Sequence, residues 1–332
     1  MLHLFARKAH TKPEQSPRRR LPVTAQTAFD PAEPTQLYSD PLQRCLQLER
    51  YGHLLANRRK WKDHPDCHNV CSTARERIDE MFAIVPEGFA SLPQVINDEP
   101  GCEEITIETG SFLLARHQVT NARFQKFVDA GGYKLLELWP KEIWPHLIDF
   151  VDATNHQGPR YWRGGRHCKT LADHPVVGIC FYEAAAYARW AGFRLPTEAE
   201  WQMAATWRIR SAANVLRRYP WGDSLDTYRC NIWSSGMRRT APVHEFPDGA
   251  APNQILQLVG NVWEWTACQF EVSDGEGGSV LSDMRMSAIR GGAFDTYFPL
   301  QATGFFRTGL VSLAREQNVG FRCALDVRKP KP

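Results

Sequence analysis

Leu258-Val259-Gly260-Asn261-Val262-Trp263-Glu264-Trp265 sets two tryptophans, a glycine and a carboxylate inside an apolar run. A buried strand takes Val, Leu and Trp readily, but it takes a carboxylate only with a partner. Glu264 is therefore expected to meet a cation or backbone donors, and Gly260 to let the backbone approach something closely. Four more stretches flank this one in a fixed order. They are Arg194-Leu195-Pro196-Thr197-Glu198-Ala199-Glu200-Trp201, Tyr219-Pro220-Trp221-Gly222, Arg290-Gly291-Gly292-Ala293-Phe294 and Asn318-Val319-Gly320-Phe321-Arg322.

The chain of 332 residues suffices for one large domain plus an extension. Lys and Arg number 40 against 37 Asp and Glu, and a balance of +3 gives no reason to expect a nucleic-acid partner. With 11 Trp and 17 Phe, the composition suits a loop-rich domain held by aromatic clusters. No window is apolar over the ~18 residues that a membrane span requires. The opening Met1-Leu2-His3-Leu4-Phe5-Ala6-Arg7-Lys8 lacks the apolar core of a signal peptide, while its basic character leaves a transit-peptide reading open. The 9 cysteines are odd in number and irregular in spacing, which argues against a disulfide framework and for a reducing compartment. A cytoplasmic location is expected on that ground.

Residues 1–36 are rich in Pro, Lys, Arg, Thr and Gln and read as a disordered basic tail. Residues 37–81 read as a short helical extension. Leu42, Cys45, Leu46, Leu48, Tyr51, Leu54 and Leu55 fall at helical spacing over 41–61, and a second helix is expected over 72–82, capped by Ser72 or Thr73. Two helices make no domain, so the extension is expected to pack onto the core or a partner. Residues 82–328 read as one domain. Strands are expected at 83–86 and 104–107. Thr120 opens a helix with Phe124, Phe127 and Val128 on one face, closed by Gly131-Gly132. A Trp-, Pro- and His-rich stretch at 133–175 reads as an irregular insertion. Phe181 to Trp190 is a second helix, ended by Gly192. Thr197 and Glu200 form a capping box for a third. Short strands and loops follow, and the class is α+β.

Together the five stretches resemble the sulfatase-modifying-factor family, whose founding activity is formylglycine generation. Its domain is shared by the sulfoxide synthases of ergothioneine biosynthesis. The resemblance covers about residues 82–327 and implies an elaborated C-type-lectin-like fold, α+β with much irregular structure. Fold does not settle function. In the family, two cysteines beyond the Gly-Gly motif hold copper, because soft sulfur suits Cu(I). Counted forward from Gly291-Gly292, those positions fall on Thr296 and Gln301, and no cysteine lies between Cys268 and Cys323. No copper and no formylglycine-generating activity are expected, and no catalytic residue is assigned. Where family members carry a disulfide, Ala188 stands in for one half, leaving Cys323 without that partner. Asp295, Thr296, Tyr297, Phe298, Gln301 and Arg307 are expected to line a remodelled ligand pocket, with Trp233 or Trp263 beneath. The plainer reading of 294–307 is ordinary sheet-and-loop surface, with Arg307 paired to Asp295 or Glu316.

The resemblance also implies calcium, through the side-chain oxygens of Gln257 and Glu264 and backbone oxygens of Gly260 and Val262. The competing reading pairs Glu264 with backbone N–H groups or with Arg322. A second calcium site would use Asn231 and Ile232, but the loop between Trp233 and Pro242 that should complete it is short. The sulfoxide synthases take iron from three histidines, two of them at His-x-x-x-His spacing. His64 and His68 have that spacing and His53 lies upstream, although Pro65 between the pair disfavours a helix there. A zinc reading takes His64, Cys67, His68 and Cys71, four ligands crowded into eight residues. The plainer reading is a loop between helices. His117, His167, His174 and His244 are scattered and read as structural or surface residues.

Two functions remain. One is an accessory module that binds a protein, peptide or small-molecule ligand through loops near the C-terminus, as other domains of this fold do with a variable face. The other is an oxygen-dependent mononuclear non-haem metal enzyme with unidentified ligands. Neither carries a nucleic-acid partner or a membrane span.

Overall fold

The computed structural model describes residues 29–93, 104–209, 217–273, 279–280 and 284–327. The chain divides at Asp30, and the unit that follows carries the fold. Of the expected tail, residues 1–28 lie outside the described residues. Residues 31–36 share its composition but run against the body. Pro31 bridges Cys168, the Ala32 N–H donates to the His167 carbonyl at 3.0 Å, and the Thr35 N–H donates to the Asp129 carboxylate at 3.3 Å. Backbone hydrogen bonds of this kind leave no trace in composition.

The extension holds three helices. They are α1 (Pro41–Gln47), α2 (Tyr51–Ala56) and α3 (Cys67–Met81), with a 3-10 turn, Arg58–Trp61, between the last two. The single run predicted over 41–61 breaks after Leu48, where Glu49 takes a left-handed φ of 57°. Asp40 starts α1 by accepting the Gln43 N–H at 2.7 Å. The predicted start near Ser72 is corrected to Cys67. Pro65 sits just outside the helix, where its missing N–H costs nothing, and Thr73 lies mid-helix, donating to the Asn69 carbonyl at 3.1 Å. Leu42, Leu54, Val70, Ala74 and Ile78 join the main hydrophobic core, so the extension is part of the body.

Next come β1 (Phe82–Val85), β2 (Gly88–Pro93), β3 (Glu104–Thr109) and β4 (Phe112–Ala115). Thr120 caps α4 (Asn121–Asp129) as expected, accepting the Arg123 N–H. The following stretch forms short 3-10 turns, yet it feeds Tyr133, Trp139, Phe150 and Trp162 into the core. Helix α5 (Phe181–Ala191) ends at Gly192, whose φ is 82°, and the Thr197/Glu200 capping box opens α6 (Glu198–Thr206). The chain closes with β5 (Trp263–Gln269), β6 (Val272–Ser273), β7 (Ser279–Val280), β8 (Met286–Arg290), β9 (Arg307–Val311), β10 (Val319–Gly320) and β11 (Ala324–Asp326).

One sheet runs β10-β5-β8-β9 and another β1-β4-β11, beside the hairpins β2-β3 and β6-β7. Strand β10 lies parallel to β5, with Gly320 opposite Glu264, while β8 is antiparallel to β5, with Arg290 opposite Glu264. The last two motifs thus flank the first within one sheet. Behind them, Phe124 stacks on Tyr187 at 5.4 Å, and Tyr187 meets Phe321 edge-on at 5.5 Å. Aromatic edges and faces interlock where long helices are lacking. Among the described residues, no helix is long and apolar enough to cross a membrane.

Candidate functional site

Glu264 is completely buried, and its partner is a guanidinium. Arg322 donates through Nε to Oε2 and through Nη2 to Oε1, each at 2.7 Å. Trp201 Nε1 adds a bond to Oε2 at 2.8 Å, and Gln118 Nε2 one to Oε1 at 2.9 Å. Four donors fill the four acceptor positions of a carboxylate. Gln257 and Gly260 of the predicted calcium set are also engaged, the Gly260 carbonyl accepting the Val262 N–H at 2.9 Å. Gln257 donates to the Pro242 and Glu245 carbonyls and accepts from Asn261, and its own carbonyl accepts from Gln118. Gly260 meets the expected close approach, since a Cβ there would lie 2.6 Å from the Asn231 carbonyl oxygen. Gln257, Gly260, Val262 and Glu264 therefore do not fit calcium: Arg322 supplies the positive charge that the carboxylate demands. Asn231 and Ile232 are likewise used internally, the side chain of Asn231 bonding to the Arg239 carbonyl and Asn261, and the Ile232 carbonyl accepting from Ser235.

Arg307 is corrected from ligand contact to scaffold. It donates to Glu198 Oε1 at 3.2 Å and Oε2 at 2.9 Å, while its guanidinium lies 5.1 Å from the Phe270 ring centroid. The same carboxylate takes Arg290 Nη1 at 3.2 Å. Burial pulls the Arg290 guanidinium down to about 10, with Glu198 pulling the other way. Among the described residues the carboxylate partner of Arg307 is thus Glu198 and neither Asp295 nor Glu316. The acid was hidden in the quoted Pro196-Thr197-Glu198 stretch.

What remains forms a surface. Gly291 and Gly292 adopt φ of 100° and 77°, turning the chain out of β8. Thr296 then closes a turn: its hydroxyl accepts the Ala293 N–H at 2.8 Å, and its N–H returns to the Ala293 carbonyl at 2.9 Å. Thr296 is thereby buried, and Tyr297, Phe298 and Leu300 are pushed into solvent, 66%, 62% and 56% exposed. Tyr297 meets Trp233 at 6.1 Å and Phe298 at 5.3 Å between ring centroids. The Trp233 N–H holds the Thr296 carbonyl at 3.2 Å, joining the two loops. Arg238 lies over the Trp233 ring, 3.2 Å from its centroid. Asp295 is half-buried, and its two carboxylate oxygens accept from Asn318 Nδ2 at 3.1 and 3.0 Å. Gln301 is half-buried at the end of the 3-10 turn Pro299–Gln301. Trp263 is buried against Phe306, so Trp233 is the tryptophan that adjoins the surface. Arg238 carries no signal in the sequence that would have singled it out, whereas Asn318 opens the quoted Asn318–Arg322 stretch.

His64 and His68 border one cavity with Cys67 and Cys71, and His53 is not among its lining residues. His53 sits in α2, pushed down to about 4 by burial and by Arg50. His64 shares a hydrogen bond of 3.0 Å between Nε2 and Asp40, and its Nδ1 accepts the Asp66 N–H. His68 is exposed in the first turn of α3. Among the described residues, no three His, Cys, Asp or Glu side chains form a metal-binding group. The iron and zinc readings at His53, His64 and His68, and the zinc reading with Cys67 and Cys71, are therefore not supported by geometry. Most described cysteines are buried or half-buried free thiols, and burial pushes Cys230 and Cys323 up to about 12.

Comparison with known proteins bears on this arrangement. The profile of the sulfatase-modifying factor enzyme 1-like domain matches residues 68–327. Hercynine oxygenase of Mycobacterium tuberculosis is 38% identical over 170 residues, 48% of this chain and 38% of that protein. The chain thus spans under two fifths of the length of the hercynine oxygenases it matches. The inactive C-alpha-formylglycine-generating enzyme 2 of Bos taurus is 32% identical over 274 residues, 72% of this chain and 84% of that one. The crystal structure of CarF superposes with a TM-score of 0.52 at 18% identity, covering 74% of this chain and 98% of that chain, a likeness of fold alone.

Proposed function

Because the chain belongs to the sulfatase-modifying factor enzyme 1-like domain family, we propose that it is a non-catalytic member that makes no formylglycine and instead holds a cation-bearing peptide or protein segment. The observation that carries this reading is the exposed Trp233–Tyr297–Phe298 cluster beside Asp295. Aromatic faces attract cations, and the stacking of Arg238 on Trp233 is an internal instance of that attraction. Asp295 supplies a carboxylate at the same rim. Thr296 and Gln301 stand where the resemblance puts thiolates, and a hydroxyl and an amide are poor ligands for Cu(I). Calcium is no part of the proposal, since Arg322 fills that role. A cytoplasmic setting is part of it, on the strength of the irregular cysteines.

A Cys-x-Pro-x-Arg peptide tests both halves. Incubated with copper, oxygen and a reductant, it keeps its mass; turnover would overturn the non-catalytic reading. Titrated by fluorescence anisotropy, it binds, and Trp233→Ala with Tyr297→Ala weakens binding by about tenfold at an unchanged melting temperature. Unchanged affinity would mean that the site lies elsewhere. The second reading, an oxygen-dependent non-haem metal enzyme, rests on the 38% identity to hercynine oxygenase. Stoichiometric iron in protein purified without chelators would favour it, with ligands other than His53, His64 and His68.

A further inference from the structure

A separate concentration of charge lies on the extension. The 3-10 turn Arg58–Trp61 and the first half of α3 border a cavity of about 420 Å³. Arg58, Arg59, Lys62 and Arg75 line it, with His64 and His68. Among the described residues, none of those four cationic side chains has a hydrogen bond or ion pair. All four are exposed, so their heads are open to a ligand arriving from solvent. Like charges gathered on one wall repel, and an anion among them relieves that cost. Helix α3 adds to the field, because Asp66 at its N-cap makes no side-chain cap bond and the helix begins at the cavity wall.

Arg58 and Arg75 also line an adjoining cavity of about 330 Å³, together with Leu55, Ile78 and Leu325. A cationic cavity thus shares two side chains with a second one, whose wall is part apolar and part charged. Asp79 and Asp326 stand on the wall of the second chamber and repel an anion from it. Arg58, Arg59 and Lys62 precede residue 68, where the family match begins, so the chamber is an addition made by the extension.

We propose that these two neighbouring cavities bind a small phosphate monoester. Its dianionic head sits among Arg58, Arg59, Lys62 and Arg75, and its apolar substituent lies against Leu55, Ile78 and Leu325. Guanidinium forks suit tetrahedral oxyanions, and the apolar wall favours an ester over the free ion.

Calorimetry on the full chain tests this with phenyl phosphate, inorganic phosphate and a short oligothymidylate. Phenyl phosphate is expected to bind saturably and about tenfold more tightly than inorganic phosphate. Arg58→Gln with Arg75→Gln should weaken both by about tenfold or more, and Leu55→Ala should weaken phenyl phosphate alone. Arg77→Gln, on the same helix but paired with Glu80, should change neither. If the double variant melts early, Lys62→Gln, at an exposed position, takes its place. Absence of saturable binding, or equal loss with Arg77→Gln, would overturn the proposal. So would an oligothymidylate that binds more tightly and is not displaced by phenyl phosphate, which would make the chamber a nucleic-acid surface.

Discussion

At the scale of residues, charge is buried in closed sets rather than left for chemistry. Glu264 and Arg322 are both 0% exposed, and each depends on the other. Such a pair adds little net stability over an apolar substitute, but breaking it strands a charge, at about 3–5 kcal/mol. Glu264→Gln should therefore lower the unfolding free energy by roughly that amount in urea titrations. In chelator-treated parent protein, added calcium should leave the melting temperature unchanged. A calcium-dependent rise that vanishes in Glu264→Gln would restore the calcium reading. His117 gives a pH prediction. Burial pushes it down to about 4, helped by the charges of Arg322 and Arg123, and His53 is lowered to about 4 by burial and Arg50. An unfolded histidine takes its proton near ~6.5. Between there and the folded values, the unfolded chain binds more protons, so stability falls as pH drops through that window and is flat above it. Urea midpoints at about pH 7 and about pH 4.5 should show the loss, and His117→Gln should reduce it. An equal loss in the variant would assign the effect to other groups.

At the scale of elements, glycines set the closest approaches. Gly52 in α2 faces the Gly192 carbonyl that ends α5, and a Cβ on Gly52 would overlap that oxygen. Gly192 holds a φ of 82°, so it has little freedom to retreat. Gly52→Ala should cost about 1–3 kcal/mol by overpacking. It should also loosen α1 and α2, read as faster tryptic cleavage after Arg44 and Arg50. Unchanged cleavage and melting would show that the interface yields more easily than its geometry implies. Helix ends obey the same logic in a form visible beforehand. Thr120 and Thr197 carry their partners within three residues, whereas α3 takes its start from Pro65 and Asp66, ahead of the Ser and Thr that resemble caps.

At the scale of the whole molecule, the extension belongs to the same hydrophobic core as the family domain. Leu42, Leu48, Tyr51 and Leu54 share a cluster with Phe124, Trp190 and Phe321. Deleting residues 1–30 should leave thermal unfolding unchanged, while deleting residues 1–61 should strip one wall of that core and yield insoluble or early-melting protein. A stable product of the longer deletion, melting like the parent, would make the extension an appendage. Residues 297–300 are exposed outside that core, which is why substitutions at Trp233 and Tyr297 are expected to alter binding without altering folding.

The sequence alone determined the family, the α+β class, the helix caps at Thr120 and Thr197, and the absence of thiols at Thr296 and Gln301. Each of these is written in residue order or within one helical turn. Tertiary structure alone decided the partners. Glu264 demanded a positive charge, and the resemblance favoured calcium over Arg322 until the fold set the guanidinium, 58 residues away, against it. Arg307 was equally free to face a ligand until Glu198, 109 residues away, took its Nε and Nη2 donors. A buried charge states in sequence only that it must be neutralised. Which group does so depends on distances that exist only once the chain has folded.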